Sequence, residues 1–424
     1  MPKLYHCPLV TEGGPLRIAL LTYRGNPHSG GQGVYVRYLS KALVDLGHSV
    51  EVFSGQPHPE LYPGISSTKL ESLDLYRSDD PFRTPRRSEF RDAIDALEFG
   101  IMCSAGFPEP LTFSLRAMSE LRKRRSEFDV VHDNQSLGYG LLGIERAGLP
   151  VVATIHHPCS VDRDIEIEHA PSLKRKWSIR RFYGFTRMQG RVARRLPEIV
   201  TVSESARADV VNEFGLSDRR ISIVHNGVDT ELFSPADTPK EPGLIVTTAS
   251  ADVPLKGLPV LLEAVAKLRT ERDVRLVVVG KEPRKGPTKK AIERFGLQDT
   301  VTFEHGIDWA RLVELYRQAE VAVVPSLYEG FSLPAAEAMA CSVPLVATTA
   351  GALPEVTGPD GEAAIVVSPG DAEAMAAALR RLFDDPALRG RLGRAGRERV
   401  LQRFTWRAAA EATVEVYRRA IAGC

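Results

Sequence analysis

Short apolar, β-branched runs alternate with helical patterns along the whole chain, and this alternation constrains the fold more than any other feature. In the first half, strands are expected over 17–22, 50–53, 129–132, 151–155, 199–202 and 221–225. In the second half they are expected over 244–248, 274–279, 300–304, 321–324, 343–347 and 364–367. Most are apolar on successive residues rather than on every second one, which is how a strand covered on both faces reads. Between them apolar residues recur at helical spacing, as in Val34, Tyr38, Leu39, Ala42, Leu43 and Leu46 and in Leu258, Leu261, Leu262, Val265 and Leu268. Such alternation implies an α/β protein with doubly wound parallel sheets. Two series follow one another, separated by the Pro-rich stretch Phe233–Gly243, which reads as a linker. The expected organisation is therefore one Rossmann-like domain over 1–234 and a second over 235–407, with a helix at about 408–424 packing back on the first.

Composition excludes several classes. The chain has 424 residues, enough for two domains and a large buried core without covalent staples. Lys+Arg is 55 and Asp+Glu 54, so the balance does not point to nucleic acid. The five cysteines show no CxxC spacing, so neither a disulfide framework nor a zinc site is implied. The first residues, Met-Pro-Lys-Leu-Tyr-His, do not read as a signal peptide, and no apolar run approaches a membrane span. The expectation is a cytoplasmic enzyme, its ligands beyond the carboxyl ends of the strands.

The most informative segment is 323–340. A strand ends near Pro325, a loop passes, and Pro334 suits a first helical position. Gly330 allows close approach of backbone to a ligand, and the free amides of the helix start suit an anion. Glu329 and Glu337, with seven residues between them, bracket this turn; a carboxylate accepts two hydrogen bonds at once, which suits a vicinal diol. The plainer reading of Glu337 alone is a helix-start acid favoured by the dipole. In the earlier segment 247–257, Lys256-Gly257 opens a helix, where a lysine is either solvated or the point charge for a diphosphate. Strands ending in Val277–Lys281 and in His305-Gly-Ile307-Asp308 read as turns or as the frame of a nucleobase.

Together these residues resemble the retaining nucleotide-sugar glycosyltransferases with two facing Rossmann-like domains, the GT-B architecture, and within it family 4 (glycosyl transferases group 1). Further matches are Val202-Ser-Glu204, Asn226-Gly-Val-Asp229 and Phe404-Thr-Trp406, and the resemblance spans nearly the whole chain. It implies that Glu329 contacts the donor sugar, Glu337 the nucleoside ribose and Lys256 the diphosphate. The backbone around Gly330, Phe331, Ser332 and Leu333 is then placed on phosphate or sugar. It further implies retention of anomeric configuration, a UDP-sugar as the default donor with a GDP-sugar as the other, and no metal or cofactor. One departure stands out: family members carry an arginine five residues before the lysine, and here Ala251 takes that place, beside Ser250 and Asp252. Lys281, Arg284, Lys285 and Arg24 are the substitute cations.

In the first half, Ser29-Gly30-Gly31-Gln-Gly33 after the first strand is an anion-cradle pattern. By resemblance Gly30 and Gly31 lie over donor phosphates and acceptor, with Gly33 an extra residue. His156-His157-Pro158 ends a strand with no coherent metal-ligand set around it, and by resemblance His156 helps to shape the reaction centre. Asp133, Asn134 and Gln135 read either as acceptor-side groups or as turn residues. Asp162-Arg-Asp164 reads as a helix N-cap. The run 174–195 has no acid and interleaves aromatics with nine basic residues, so it is either a solvated helix with core-packed aromatics or a docking helix for an anionic membrane surface. The stretch 56–128 reads as long and irregular and shapes the acceptor pocket without naming the acceptor.

The leading expectation is a retaining, metal-independent hexosyltransferase. The alternatives are a nucleotide-sugar 2-epimerase-like isomerase, which needs no acceptor, and a non-catalytic sugar or nucleotide sensor docked on a membrane.

Overall fold

The computed structural model describes residues 13–26, 31–77, 79–168, 170, 172–249, 253–283 and 285–423. Gly30, Ser250, Ala251, Asp252 and Arg284 lie outside the described residues. The chain divides into two compact units, one formed by the chain up to Val224 and from Arg407 onward, the other by His225–Trp406.

The first unit holds a seven-stranded sheet of β1 (Arg17–Thr22), β2 (Ser49–Ser54), β3 (Ser66–Lys69), β4 (Val130–Asn134), β5 (Val151–Ile155), β6 (Glu198–Thr201) and β7 (Ile221–Ile223). All pairings are parallel, in the order β3-β2-β1-β4-β5-β6-β7. The second unit holds six strands: β8 (Leu244–Thr248), β9 (Arg275–Val279), β10 (Val301–Glu304), β11 (Val321–Val324), β12 (Leu345–Thr348) and β13 (Ala364–Val367). These are also parallel, in the order β10-β9-β8-β11-β12-β13. Every residue of β4, β5, β11 and β12 is buried, as both-face coverage by helices requires. The two-Rossmann α/β reading of the sequence therefore stands.

β3 was not expected. Ser66-Ser-Thr-Lys69 is polar and lies at the sheet edge, mostly exposed, so it lacks the apolar run that marks the other strands. The surrounding stretch is also less irregular than its composition suggests. It contains helices Ala93–Cys103 and Glu109–Lys123, the second burying Phe113, Ala117 and Leu121 at helical spacing. The basic run is not one helix either. It is broken into Leu173–Phe182 and Thr186–Ala193 by a 3-10 turn at Tyr183–Phe185.

The second unit begins ahead of the Pro-rich stretch because the Asn226–Asp229 segment is tied into it. Val228 forms a parallel bridge with Thr405, and a Cβ on Gly227 would lie 2.3 Å from the Trp406 nitrogen. Arg397 clamps the same region by donating to the carbonyls of Thr230, Phe233 and Ala340.

The last helix, Trp406–Ala422, returns the chain to the first unit. Its Tyr417 hydroxyl meets Nδ1 of His132 on β4 at 2.6 Å, and Nε2 of His132 meets Thr154 Oγ1 at 2.7 Å. Both His132 and Tyr417 are fully buried, and burial pushes the imidazole down to about 3, so it is neutral. Tyr417→Phe leaves a buried ring nitrogen without its partner and is expected to cost about 1–3 kcal/mol in urea unfolding. Val414→Ala, on the same helix without the polar link, provides the packing control.

Candidate active site

In each sheet the chain reverses its winding direction between two neighbouring strands, β1 and β4 in the first unit and β8 and β11 in the second. Beyond the carboxyl ends of such strands helices diverge and leave a crevice. Lys256, Glu329 and Glu337 lie on the loops and helix that follow β8 and β11, and Asn134 and His156 at the ends of β4 and β5.

In the second unit the loops after β8 and β11 carry Lys256 and Glu329. Lys256 Nζ lies 2.8 Å from Glu329 Oε1, which also accepts from Ser326 Oγ at 2.7 Å. The loops are stitched by Leu327 N donating to Leu255 O at 2.7 Å. Gly257 makes this approach sterically possible: its φ is +63°, and a Cβ there would lie 1.9 Å from the Pro325 carbonyl oxygen. Gly257→Ala is expected to lower stability by more than about 2 kcal/mol and to separate Lys256 from Glu329. Thermal melting, with Gly361→Ala as a control whose Cβ meets nothing within 4 Å, checks the first part.

Glu337 lies in helix Leu333–Ala340, which follows the same loop. It is 7 % exposed, and among the described residues no hydrogen bond reaches its carboxylate. Burial alone pushes that carboxyl up to about 8. At the start of the helix Ser332 adopts φ +82°, a left-handed conformation rare for serine, and its buried hydroxyl has no partner. A largely buried carboxyl and a buried hydroxyl, both without partners among the described residues, are set for a polar ligand. Gly330 sits at mid-loop and Leu333 is the first helical residue. Phe331 is buried against Phe404 and His225, so its ring anchors the loop and only its backbone faces outward chemistry. Ile307 follows β10, at the far edge of the sheet. Nearby, Lys281, Glu282, Pro283, Lys289, Phe303 and His305 line an open cavity of about 530 Å³.

In the first unit His156 stands at the end of β5. Its Nε2 donates to Asn134 Oδ1 at 2.7 Å and its backbone N–H to Gln135 Oε1 at 2.7 Å. The Tyr35 ring stands edge-on to it at 4.7 Å. Burial, reinforced by His157, pushes the imidazole down to about 3, so it is a neutral ring with Nδ1 unprotonated. Asn134 in turn donates to the Gln32 carbonyl, and Gln135 to the His157 carbonyl. Both residues are thus positioning groups for His156. Asp133 does not face an acceptor. It is fully buried and closes its own turn, accepting from Ser136 Oγ and from Leu137 N, with burial pushing its carboxyl up to about 6.

Three further expectations come out differently. Arg24, a candidate substitute cation, is held by Glu109 through hydrogen bonds of 2.5 and 3.0 Å. Asp162 is not an N-cap but lies inside helix Cys159–Glu168 and accepts from His157 Nε2 at 2.8 Å. Gly31 opens helix Gly31–Asp45 with no atom of the described residues within 4 Å of a built Cβ, and at Gly33, read as an extra residue, a Cβ would lie 2.3 Å from the Asn26 carbonyl oxygen. Among the described residues no group of three or more His, Cys, Asp or Glu forms a metal-ligand set.

Comparison with known proteins identifies the family and the fold. Residues 229–399 match the family model described as glycosyl transferases group 1, and residues 29–232 the one described as glycosyltransferase family 4. The chain is 53% identical over 408 residues to an MMP alpha-(1->4)-mannosyltransferase of Mycolicibacterium hassiacum, covering 96% of this chain and 99% of that protein. It is 28% identical to a D-inositol 3-phosphate glycosyltransferase of Catenulispora acidiphila, over 97% of this chain and 96% of that one. Among solved structures, sucrose-phosphate synthase of Thermosynechococcus elongatus superposes with a TM-score of 0.72 at 23% identity, covering 96% of this chain and all of that one. The chain belongs to glycosyltransferase family 4.

Proposed function

We propose that this family-4 glycosyltransferase moves a mannosyl unit from a nucleoside diphosphate sugar to an acceptor hydroxyl, with retention of anomeric configuration and without a metal. The observation that carries the reading is Glu337, a buried carboxylate with no donor among the described residues, beside the Lys256–Glu329 pair at the winding reversal of the second sheet. A ribose diol supplies the two donors that this carboxylate lacks. A diphosphate draws Lys256 Nζ away from Glu329, leaving Glu329 to accept from hydroxyls of the donor sugar. The cavity lined by Lys281, Phe303 and His305 takes the nucleobase, uracil or guanine.

As the bond from the anomeric carbon to the diphosphate breaks, charge grows on the leaving phosphate, and Lys256 with the amides near Gly330 and Ser332 stabilises it. The incoming hydroxyl gives its proton to that phosphate. The acceptor side falls to the first unit, where Gly31 starts a helix and His156, neutral through burial, is positioned by Asn134 and Gln135. Mannose is chosen as the sugar because the relative sharing half of its residues with this chain is a mannosyltransferase.

Thermal melting against UDP, GDP, ADP and TDP and their mannosyl derivatives tests the donor site. A nucleotide at 100 times its dissociation constant adds about 2.7 kcal/mol. One base is expected to raise the melting temperature, and silence from all of them would overturn the reading.

A further inference from the structure

We propose that helix Leu173–Phe182, together with the loop carrying Phe82, docks this protein on an anionic lipid surface. The helix is capped at Ser172, whose Oγ accepts from Arg175 N at 3.2 Å, and it buries Ile179 against the first unit. Its outward face is not polar. Leu173 is 85% exposed and Trp177, one turn on, is 62% exposed. Phe82, also 62% exposed, lies by way of Tyr76 near the C-terminal end of this helix: the Tyr76 ring is 5.2 Å from Phe82 and 6.3 Å from Phe182. These are the three most exposed large apolar side chains among the described residues. Phe82 also holds φ +65°, a left-handed backbone that a bulky residue adopts only when the surroundings impose it.

Around this apolar face Lys174, Arg175, Lys176 and Arg180 make no ion pair among the described residues. Of the acids of the preceding helix, Asp162 accepts from His157, Asp164 is bound by Arg163 and also attracts Arg180, and Glu166 accepts from the Tyr183 hydroxyl, so Lys174, Arg175 and Lys176 are the cations best placed for a partner. Unpaired cations alone would fit any polyanion. The exposed Leu, Trp and Phe distinguish the partner, because such side chains are hidden at the boundary of headgroups and acyl chains while lysine and arginine reach the lipid phosphates. No helix of the described chain is long and apolar enough to cross a membrane, so the contact is one of lying on the surface.

The test is co-sedimentation of the full chain with vesicles of phosphatidylglycerol and phosphatidylcholine, against phosphatidylcholine alone, with tryptophan emission recorded. Of the other two tryptophans Trp406 is buried and Trp309 half-buried, so the blue shift is assigned to Trp177 by its loss in Trp177→Phe. The expected result is binding to anionic vesicles only, weakened by salt and by about fivefold for each cation removed from the helix. Leu173→Ser combined with Trp177→Ser lowers binding at least as much, while the melting temperature stays unchanged because both side chains are exposed. Absence of binding to anionic vesicles overturns the proposal. So does binding that survives Leu173→Ser/Trp177→Ser, and so does binding to heparin as tight as to vesicles, which would assign the patch to a soluble polyanion.

Discussion

Glu337→Gln is expected to bind its nucleotide about 10- to 100-fold more weakly while becoming more stable at neutral and higher pH. The two effects share one cause. A charged acceptor contributes about 1.5–3 kcal/mol to a hydrogen bond that a neutral amide does not replace, so the loss falls on nucleotide affinity. In the free protein, however, the same carboxyl is buried without a donor and titrates at about 8 instead of its ordinary 4.5. Between those two pH values the folded chain holds a proton that the unfolded chain has released. Stability therefore falls as pH rises through that window, by about 1.4 kcal/mol per pH unit at most. Glutamine does not titrate, so its advantage is absent below pH 4.5, grows across the window and is complete above about 8. Nucleotide affinity shows the mirror image: a diol prefers the ionised carboxylate, so affinity of the unaltered chain falls as pH is lowered below about 8, whereas in Glu337→Gln it is flat. Melting curves and calorimetric titration from pH 5 to pH 9 check both halves. A variant that loses affinity without gaining stability would mean that Glu337 has a protein partner.

Lys256→Met is expected to lower kcat by about 10²- to 10³-fold, the usual effect of removing one group that stabilises developing charge. Lys256 spans two states in this account. Without a donor its Nζ sits 2.8 Å from Glu329, and with a donor it turns to the diphosphate. Removing it leaves Glu329, 8% exposed, with Ser326 as its remaining side-chain donor, so some loss of stability accompanies the loss of rate. Lys256→Arg keeps the charge but replaces a compact point donor by a planar fork, and it is expected to recover only part of the activity. Steady-state kinetics on all three proteins checks this. Full activity in Lys256→Met would place the leaving-group cation elsewhere, with Lys281 and Lys285 the next candidates.

Much of this site was legible in the sequence because its parts are local. The glutamate pair with glycine between them, and the lysine-glycine step after β8, can be read within a single loop each. β1, β5, β8, β11 and β13 were legible to the residue because strands covered on both faces advertise themselves as apolar runs. What remained hidden is what long-range pairing decides. The Lys256–Glu329 bond joins positions 73 residues apart, and the Tyr417–His132 bond joins positions 285 apart. The same distance effect explains Asp133, whose role depends on a turn that folds its carboxylate inward, and Asn134, which gains its role only when β4 and β5 lie side by side. β3 was hidden for the opposite reason, as an exposed polar edge leaves no hydrophobic trace. The replacement of arginine by Ala251 was visible in sequence, but it lies outside the described residues; of the candidate substitutes Arg24 is already held by Glu109, whereas Lys281 lines the open cavity after β9.

The claim that joins these observations is acceptor-dependent transfer of a sugar from a nucleotide. The most direct measurement follows the anomeric protons by NMR while the chain is incubated with the mannosyl nucleotide that stabilises it, with and without a panel of hydroxyl acceptors. The account predicts that nucleoside diphosphate and a new α-linked product appear together, only when acceptor is present, and that both form more slowly with Glu337→Gln at the same subsaturating donor concentration. Conversion of the donor sugar without acceptor, or a β-linked product, would contradict it.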